Sequence, residues 1–281
     1  MSRASRPRFA TRERRDELAK AYEAGGAQYE ELRPGYPAAV VDRMLAAAGA
    51  REGDTAIDVG AGTGKLSRAL AARGMNVTAV DPSAAMLDVA AHPRYSGENP
   101  GHGSVTLHEG TAEHTGLPAH GARLVTAAQA WHWFDAEAAT REVLRLLAPG
   151  TAERPPGVLA LVWNTLDVSI PWVHRYSRIA HAGDVLREDF TPATGPGLEM
   201  IDRLSLRWED HRTTDELVNL ARTRSYVITA TEDRRRRVLE NLDWYLHDHL
   251  GHTPGTSIPM VYRCDLVVYA PKANAGWGSQ G

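Results

Sequence analysis

Between Thr55 and Asn164, short apolar runs rich in β-branched residues alternate with helical segments. No other feature restricts the fold as much. "TAIDVGAG" (55–62), "NVTAVD" (76–81), "SVTLHEG" (104–110), "ARLVTAAQA" (122–130) and "GVLALVWN" (157–164) read as strands. The first four are separated from their successors by "KLSRALAARG" with its terminal glycine, "SAAMLDVAAH" capped by Ser83, a Gly-containing turn, and "DAEAATREVLRLLAPG" capped by Asp135 and stopped at Pro149-Gly150. Strands that are apolar throughout and alternate with helices belong in a parallel sheet covered on both faces. The expected fold is therefore α/β and doubly wound. Two later strand-like runs, "LSLRWEDHR" (204–212) and "MVYRCDLVVYA" (260–270), bring the count to seven and are expected to form an antiparallel edge. Helices are expected at Arg12–Glu23, Ala38–Ala48 closed by Gly49, and about 171–182, 214–222 and 231–248; the prolines of "YEELRPGYP" (29–37) predict a turn there. The loops at 96–104, 151–157 and 191–197 interrupt elements without separating compact units, so one domain is expected.

The first strand runs into "GAGTGK", where Gly60, Gly62 and Gly64 let the backbone approach a ligand closely. A phosphate-cradling P-loop needs glycine where Val59 stands and Ser or Thr where Leu66 stands. The dinucleotide pattern G-x-G-x-x-G is also unmet, and Asp58 would repel a pyrophosphate. That acid suits a cationic ligand. Asp81, ending the second strand about twenty residues on, is positioned to accept hydrogen bonds from both hydroxyls of a ribose. A ribose joined to a positively charged amino-acid moiety, without phosphate, describes S-adenosylmethionine.

Composition leaves the small-molecule reading in place. The formal net charge is -3 and the single cysteine, Cys264, cannot form an intrachain disulfide. No apolar run approaches the roughly 18 residues of a membrane span, and "MSRASRPRFATRERR" lacks the apolar core of a secretory signal. These features point to a cytoplasmic protein without nucleic-acid or membrane partners, working as a monomer or homodimer. The basic run "EDRRRR" (232–237) opens an amphipathic, otherwise acidic helix and reads as a solvated face. His247, His249 and His252 lie close together but lack an assignable carboxylate partner, so no metal is expected.

"AAQAWHWFD" (127–135) begins inside the fourth strand and ends at a helix cap, so it emerges at the carboxyl ends of the parallel strands, where ligands bind in such folds. Trp131 and Trp133 are expected toward the substrate, with Trp163 and Trp172 on the opposite wall. His132 is the catalytic candidate. It either takes a proton from the nucleophile as a general base or only hydrogen-bonds the substrate, since in-line methyl displacement can be driven by proximity and orientation.

The ordered set "AIDVGAGTGKLS", "VTAVDPSAAML", "EGTAEHTGLP" and "AAQAWHWFD" resembles the class I S-adenosylmethionine-dependent methyltransferases, in particular their type 11 small-molecule branch. "YEELRPGYP", "VWNTLDVSIPW" and "RTRSYV" further resemble the subgroup that includes trans-aconitate methyltransferases. The resemblance implies a Rossmann-like methyltransferase fold. It implies that Asp58 and the backbone of Gly60, Ala61, Gly62, Thr63 and Gly64 hold the methionine part, with Asp81 on the ribose and Pro82 and Met86 flanking the adenine. Thr111 occupies the position of an aspartate that in many relatives binds the adenine amino group, leaving Ala112 and Glu113 as substitutes. Gln129 would meet the methionine arm. An N-terminal helical lid (1–36), carrying Tyr22, Tyr29, Arg33 and Tyr36, would fold over the mouth of a methyltransferase domain (37–270), with a flexible tail at 271–281. Arg33 could clamp the cofactor carboxylate or an acidic substrate. The expected activity is methyl transfer to an oxygen, carbon or nitrogen of a small metabolite; the alternative is a cofactor-binding protein with lost or redirected catalysis, of a cyclase or regulatory kind.

Overall fold

A computed structural model of the chain describes residues 26–92, 94, 103–182 and 190–273. The predicted helix at Arg12–Glu23, Tyr22 and most of the tail lie outside these residues. Seven strands form one sheet: β1 (Thr55–Val59), β2 (Asn76–Asp81), β3 (Val105–Glu109), β4 (Leu124–Ala128), β5 (Val158–Leu166), β6 (Leu198–Thr213) and β7 (Ser257–Pro271), in spatial order β3-β2-β1-β4-β5-β7-β6. β1 to β5 are mutually parallel, and β7 runs antiparallel between β5 and the outermost strand β6.

Residues alternate between the two faces of each strand, and the core divides accordingly. Ile57, Val125, Leu159 and Val267 face one side with Val143 and Leu146 of helix α5 (Ala136–Leu146). Ala56, Leu124, Ala160 and Leu266 face the other with Val40, Val41 and Met44 of α2 (Ala38–Ala48) and Leu66 and Leu70 of α3 (Lys65–Ala71). Both faces are covered, so the central strands tolerate no polar alternation. The local stop signals act as their chemistry requires. Gly49, at φ 56°, closes α2; Ser83 caps α4 (Ala84–Ala91), and the Asp135 carboxylate accepts the Glu137 and Ala138 N–H groups to start α5.

A third cluster sits over the extended ends of β5, β6 and β7. It contains α6 (Pro171–Ile179), α7 (Thr214–Leu220), α8 (Ser225–Ile228) and α9 (Glu232–Trp244), with Tyr176, Leu217, Leu242 and Tyr262 buried between them. β6 is longer than the expected 204–212 because β7 partners it along almost its whole length. The expectation of a turn throughout 29–37 is corrected: Tyr29 to Leu32 complete helix α1 (Gly26–Leu32). Pro34 disfavours helix only from the residue before it, so the break falls at Arg33. α1 packs on α4, α7 and the short 3-10 turn Ala221–Thr223, and so touches both the sheet domain and the helical cluster.

The loop after β3 is pinned from below. Glu142, 7% exposed, accepts the Thr115 N–H at 2.9 Å and the Arg145 Nε at 2.8 Å, while Arg145 also donates to the Leu117 carbonyl. Burial alone would raise the Glu142 carboxyl, but the Arg145 and Thr115 hydrogen bonds outweigh it and hold the pKa at about 2. Since this lies below the ordinary value, the carboxylate stabilises the fold above about pH 5 and loses that contribution as pH falls toward 2. Glu142→Gln is expected to lower unfolding stability by about 2 to 3 kcal/mol at pH 7, with the difference closing by pH 2. Urea denaturation at both pH values measures it, and equal stabilities at pH 7 contradict the assignment.

Candidate functional site

The strand order reverses direction between β1 and β4, and at such a switch point the loops leaving two neighbouring parallel strands diverge and leave a crevice. The glycine loop leaves β1 on one side and "QAWHW" leaves β4 on the other. They touch at Gly60: a Cβ there would lie 2.7 Å from the Ala130 Cβ and 2.9 Å from the Phe134 ring. Glycine is thus required both by this contact and by its φ of 67°. Gly62, at φ 56°, has the opposite surroundings, because nothing stands within 4 Å of the position its Cβ would occupy. The middle of the loop therefore exposes bare backbone to open space. The rest of the loop is tied down: Gly60 and Ala61 donate to the Val80 carbonyl, Thr63 is buried, and the Thr63 carbonyl accepts from Arg68.

Two carboxylates flank the loop differently. Asp81 ends β2 and accepts the Gly62 N–H at 2.8 Å and the Ser83 N–H at 2.9 Å, so it reaches the open part of the glycine loop. Asp58 is fully buried beneath it and accepts hydroxyl hydrogen bonds from Ser67 and Thr126, each at 2.7 Å. Burial pushes the Asp58 carboxyl up to about 6, with the neighbouring Asp81 charge adding to the rise and the two hydroxyls opposing it. Ser67 and Thr126 had no distinguishing signal in the sequence; they stand 9 and 68 residues from Asp58.

On the β2 side of the crevice, Pro82 is exposed and Met86 is buried, and Met86 is covered by α1, whose Gly26 Cβ position lies 3.4 Å from the Met86 sulfur. Thr111 is exposed and its hydroxyl accepts the His114 N–H; Ala112 is buried. The Glu113 carboxylate accepts the Asp135 N–H at 2.9 Å and so joins this loop to the start of α5.

On the β4 side, Gln129 sits at φ 58°, a strained left-handed conformation for a residue with a side chain. It is held there by its N–H on Val162 and its side-chain amide on the Asn164 carbonyl at 2.6 Å. The two tryptophans part company. Trp131 is 3% exposed and donates its indole N–H to the Ala193 carbonyl, which makes it core support beneath the loop and not a substrate-facing ring. Trp133 is half-buried, with its ring centroid 5.1 Å from that of His132. Trp163, buried in β5, donates its indole N–H to His132 Nδ1 at 3.4 Å.

The N-terminal segment meets this crevice through backbone and charge. Asn164 donates its amide to the Gly35 carbonyl at 2.7 Å and accepts the Trp208 indole N–H, fastening the "RPGYP" turn to the end of β5. Arg33 donates to the Thr223 hydroxyl and carbonyl, at 2.9 and 2.8 Å, and lies over the Tyr29 ring. Tyr36 is half-buried, and its hydroxyl is pushed well above its ordinary pKa by burial, then by Tyr29. Trp172, half-buried on α6, accepts the Tyr245 hydroxyl through its carbonyl. Sequence reasoning missed Glu30, which is 6% exposed and pairs with Arg68 and Lys65 at the start of α3. A signal was present: Lys65 is one of only three lysines, and burial lowers its pKa. Also missed was Tyr262, whose buried hydroxyl has no hydrogen-bond partner among the described residues.

Comparison with known proteins shows the family. The family described as "Methyltransferase domain" matches residues 57–152. An uncharacterized methyltransferase of Mycobacterium tuberculosis is 38% identical over 244 residues, covering 84% of this chain and 90% of that protein. An uncharacterized methyltransferase-like protein of Schizosaccharomyces pombe is 29% identical over 80% of this chain and 85% of its own length. Among solved structures, that of a putative type II methyltransferase from Anaeromyxobacter dehalogenans superposes with a TM-score of 0.60 at 28% identity, over 85% of this chain and 97% of that one.

The raised Asp58 pKa fixes a sign. A carboxyl whose folded pKa lies above its unfolded value destabilises the fold at pH values above about 6 and has no effect below the unfolded value. Asp58→Asn is therefore expected to stabilise the ligand-free protein at pH 7.5, by up to about 3 kcal/mol, and to match the parent near pH 4. Thermal unfolding at the two pH values checks this; a variant less stable at pH 7.5 rejects the strained-charge account.

Proposed function

The chain belongs to the methyltransferase family, and from that premise we propose that it methylates a small organic molecule at the crevice between the β1 and β4 loops. It is an S-adenosylmethionine-dependent methyltransferase of class I. The observation that carries the site assignment is the pairing of Asp81 with Gly62: a carboxylate and a backbone without side chains meet beside open space. These fit the cofactor, because one supplies acceptors for two ribose hydroxyls and the other permits close approach of the amino-acid part. We assign the backbone of Gly60 to Gly64 to that part, and Pro82, Met86 and the Ala112 backbone to the adenine. S-adenosylmethionine bound there supplies a sulfonium methyl group, taken by a nucleophile in an in-line displacement as the carbon–sulfur bond breaks and the positive charge is cancelled.

The protein's own residues orient and enclose. Asp58, beneath the loop, supplies negative potential under a cationic ligand without spending an oxygen on it, and Asp81 holds the loop and ribose in register. His132, Trp133 and Tyr36 would line the substrate side, with the buried Trp163 supporting His132 through its indole N–H and Trp172 and Asn164 behind them. The helical cluster and α1 lie over the carboxyl ends of the strands, which supports a small substrate that can be enclosed. The finer resemblance, to the trans-aconitate methyltransferase subgroup, is supported by the "RPGYP" turn lying against Asn164. A cytoplasmic location is supported by the free, buried Cys264.

Asp81→Ala is expected to weaken S-adenosylmethionine binding by about 1.5 to 3 kcal/mol for each hydrogen bond lost. Titration calorimetry measures it, and unchanged affinity removes Asp81 from the site. A cation bound above Asp58 favours its ionised form. Affinity should accordingly rise as pH increases through about 6, with proton release on binding below that pH, and Asp58→Asn should abolish both effects. A pH-independent affinity in the parent protein would exclude Asp58 from coupling to the cofactor. Release of S-adenosylhomocysteine across a panel of small metabolites tests the activity itself.

A further inference from the structure

The contact between Trp163 and His132 has a direction that chemistry decides. An indole N–H can only donate, so the atom it meets, His132 Nδ1 at 3.4 Å, receives it through a lone pair. A neutral imidazole with a lone pair on Nδ1 carries its proton on Nε2. The tryptophan is not free to choose another geometry. It is 3% exposed within the fully buried run of β5, and its ring is braced edge-on by Phe190 at 5.7 Å. His132 is fixed as well, in a 3-10 turn whose neighbour Trp131 is anchored in the core through Ala193.

We infer that Trp163 is a positioning residue that holds His132 as the Nε2–H tautomer, so that His132 acts on the substrate as a hydrogen-bond donor and not as the base that deprotonates it. This rests on the methyl-transfer reading above for its substrate, but the tautomer itself does not. For His132 to take a proton at Nε2, the N–H must first move to Nδ1, which breaks the Trp163 bond and leaves a buried indole N–H without its acceptor. A nucleophile that suits such a site attacks without giving a proton to His132, as an ionised carboxylate does. Its own electron pair forms the new bond to the methyl carbon, and it has no proton left to transfer to the protein; the His132 N–H instead orients it by a charge-assisted hydrogen bond.

Nitrogen-15 NMR of protein labelled at histidine reads the tautomer directly, with His132→Gln identifying the resonances to follow. The expected result is an acceptor-type shift at Nδ1 and an N–H shift at Nε2 in the ligand-free protein. In Trp163→Phe, which keeps the ring but removes the donor, both shifts should move toward the averaged values of a mixed population. A proton on Nδ1 in the parent overturns the proposal, and so does a tautomer unaltered in a folded Trp163→Phe. Sodium benzoate, as an oxyanion probe in a series of small carboxylates added to protein saturated with S-adenosylhomocysteine, should move the Nε2–H proton downfield. No shift with any member of the series rejects the donor role. Failure of the methyltransferase reading would look different: S-adenosylhomocysteine would not bind, while the tautomer of the free protein would stand.

Discussion

Asp58 is the point on which the site's architecture converges. A carboxylate with no exposure to water is costly unless hydrogen-bonded. Its two hydroxyl partners come from different elements, Ser67 on α3 and Thr126 on β4. One buried acid thus joins the strand before the glycine loop, the helix after it and the strand across the switch point. The remaining strain, expressed in its raised pKa, is stored directly under the place where a positive ligand would relieve it. Local strain of this kind is common at functional sites.

The N-terminal segment is coupled to this centre by charge as well as by apolar packing. Glu30 engages the first turn of α3 through Lys65 and Arg68, and Arg68 in turn holds the Thr63 carbonyl of the glycine loop. Asn164 secures the other end of the segment at Gly35. Movement of α1 is therefore felt at the loop. Among the described residues the buried Glu30 Oε2 has no hydrogen-bond partner, so this ion-pair cluster is incompletely satisfied.

Around His132 the aromatic residues divide into support and contact. Trp131 spends its N–H on the core; Trp163 directs its N–H at the imidazole and in doing so sets which nitrogen carries the proton. A histidine at the carboxyl end of a strand in such a fold is therefore not by itself a general base. Its function follows from the partner of its second nitrogen.

The strand-and-helix alternation, the caps at Ser83 and Asp135, the stop at Gly49 and the glycine loop were legible because each depends on residues within a few positions of one another. The same holds for Asp81, placed by its distance from the loop. The turn at 29–37 was partly misread, because proline excludes helix only from its neighbour onward while tertiary pairing of Glu30 extends the helix to that limit. By itself, then, the chain's sequence determined an α/β sheet with a glycine loop at its switch point and the family to which it belongs. The tertiary structure decided which side chains meet there: Asp58 with Thr126, His132 with Trp163, and Arg33 with Thr223, pairs separated by 68, 31 and 190 residues. Such contacts are products of strand order, and strand order reflects packing of the whole sheet, which no local pattern encodes.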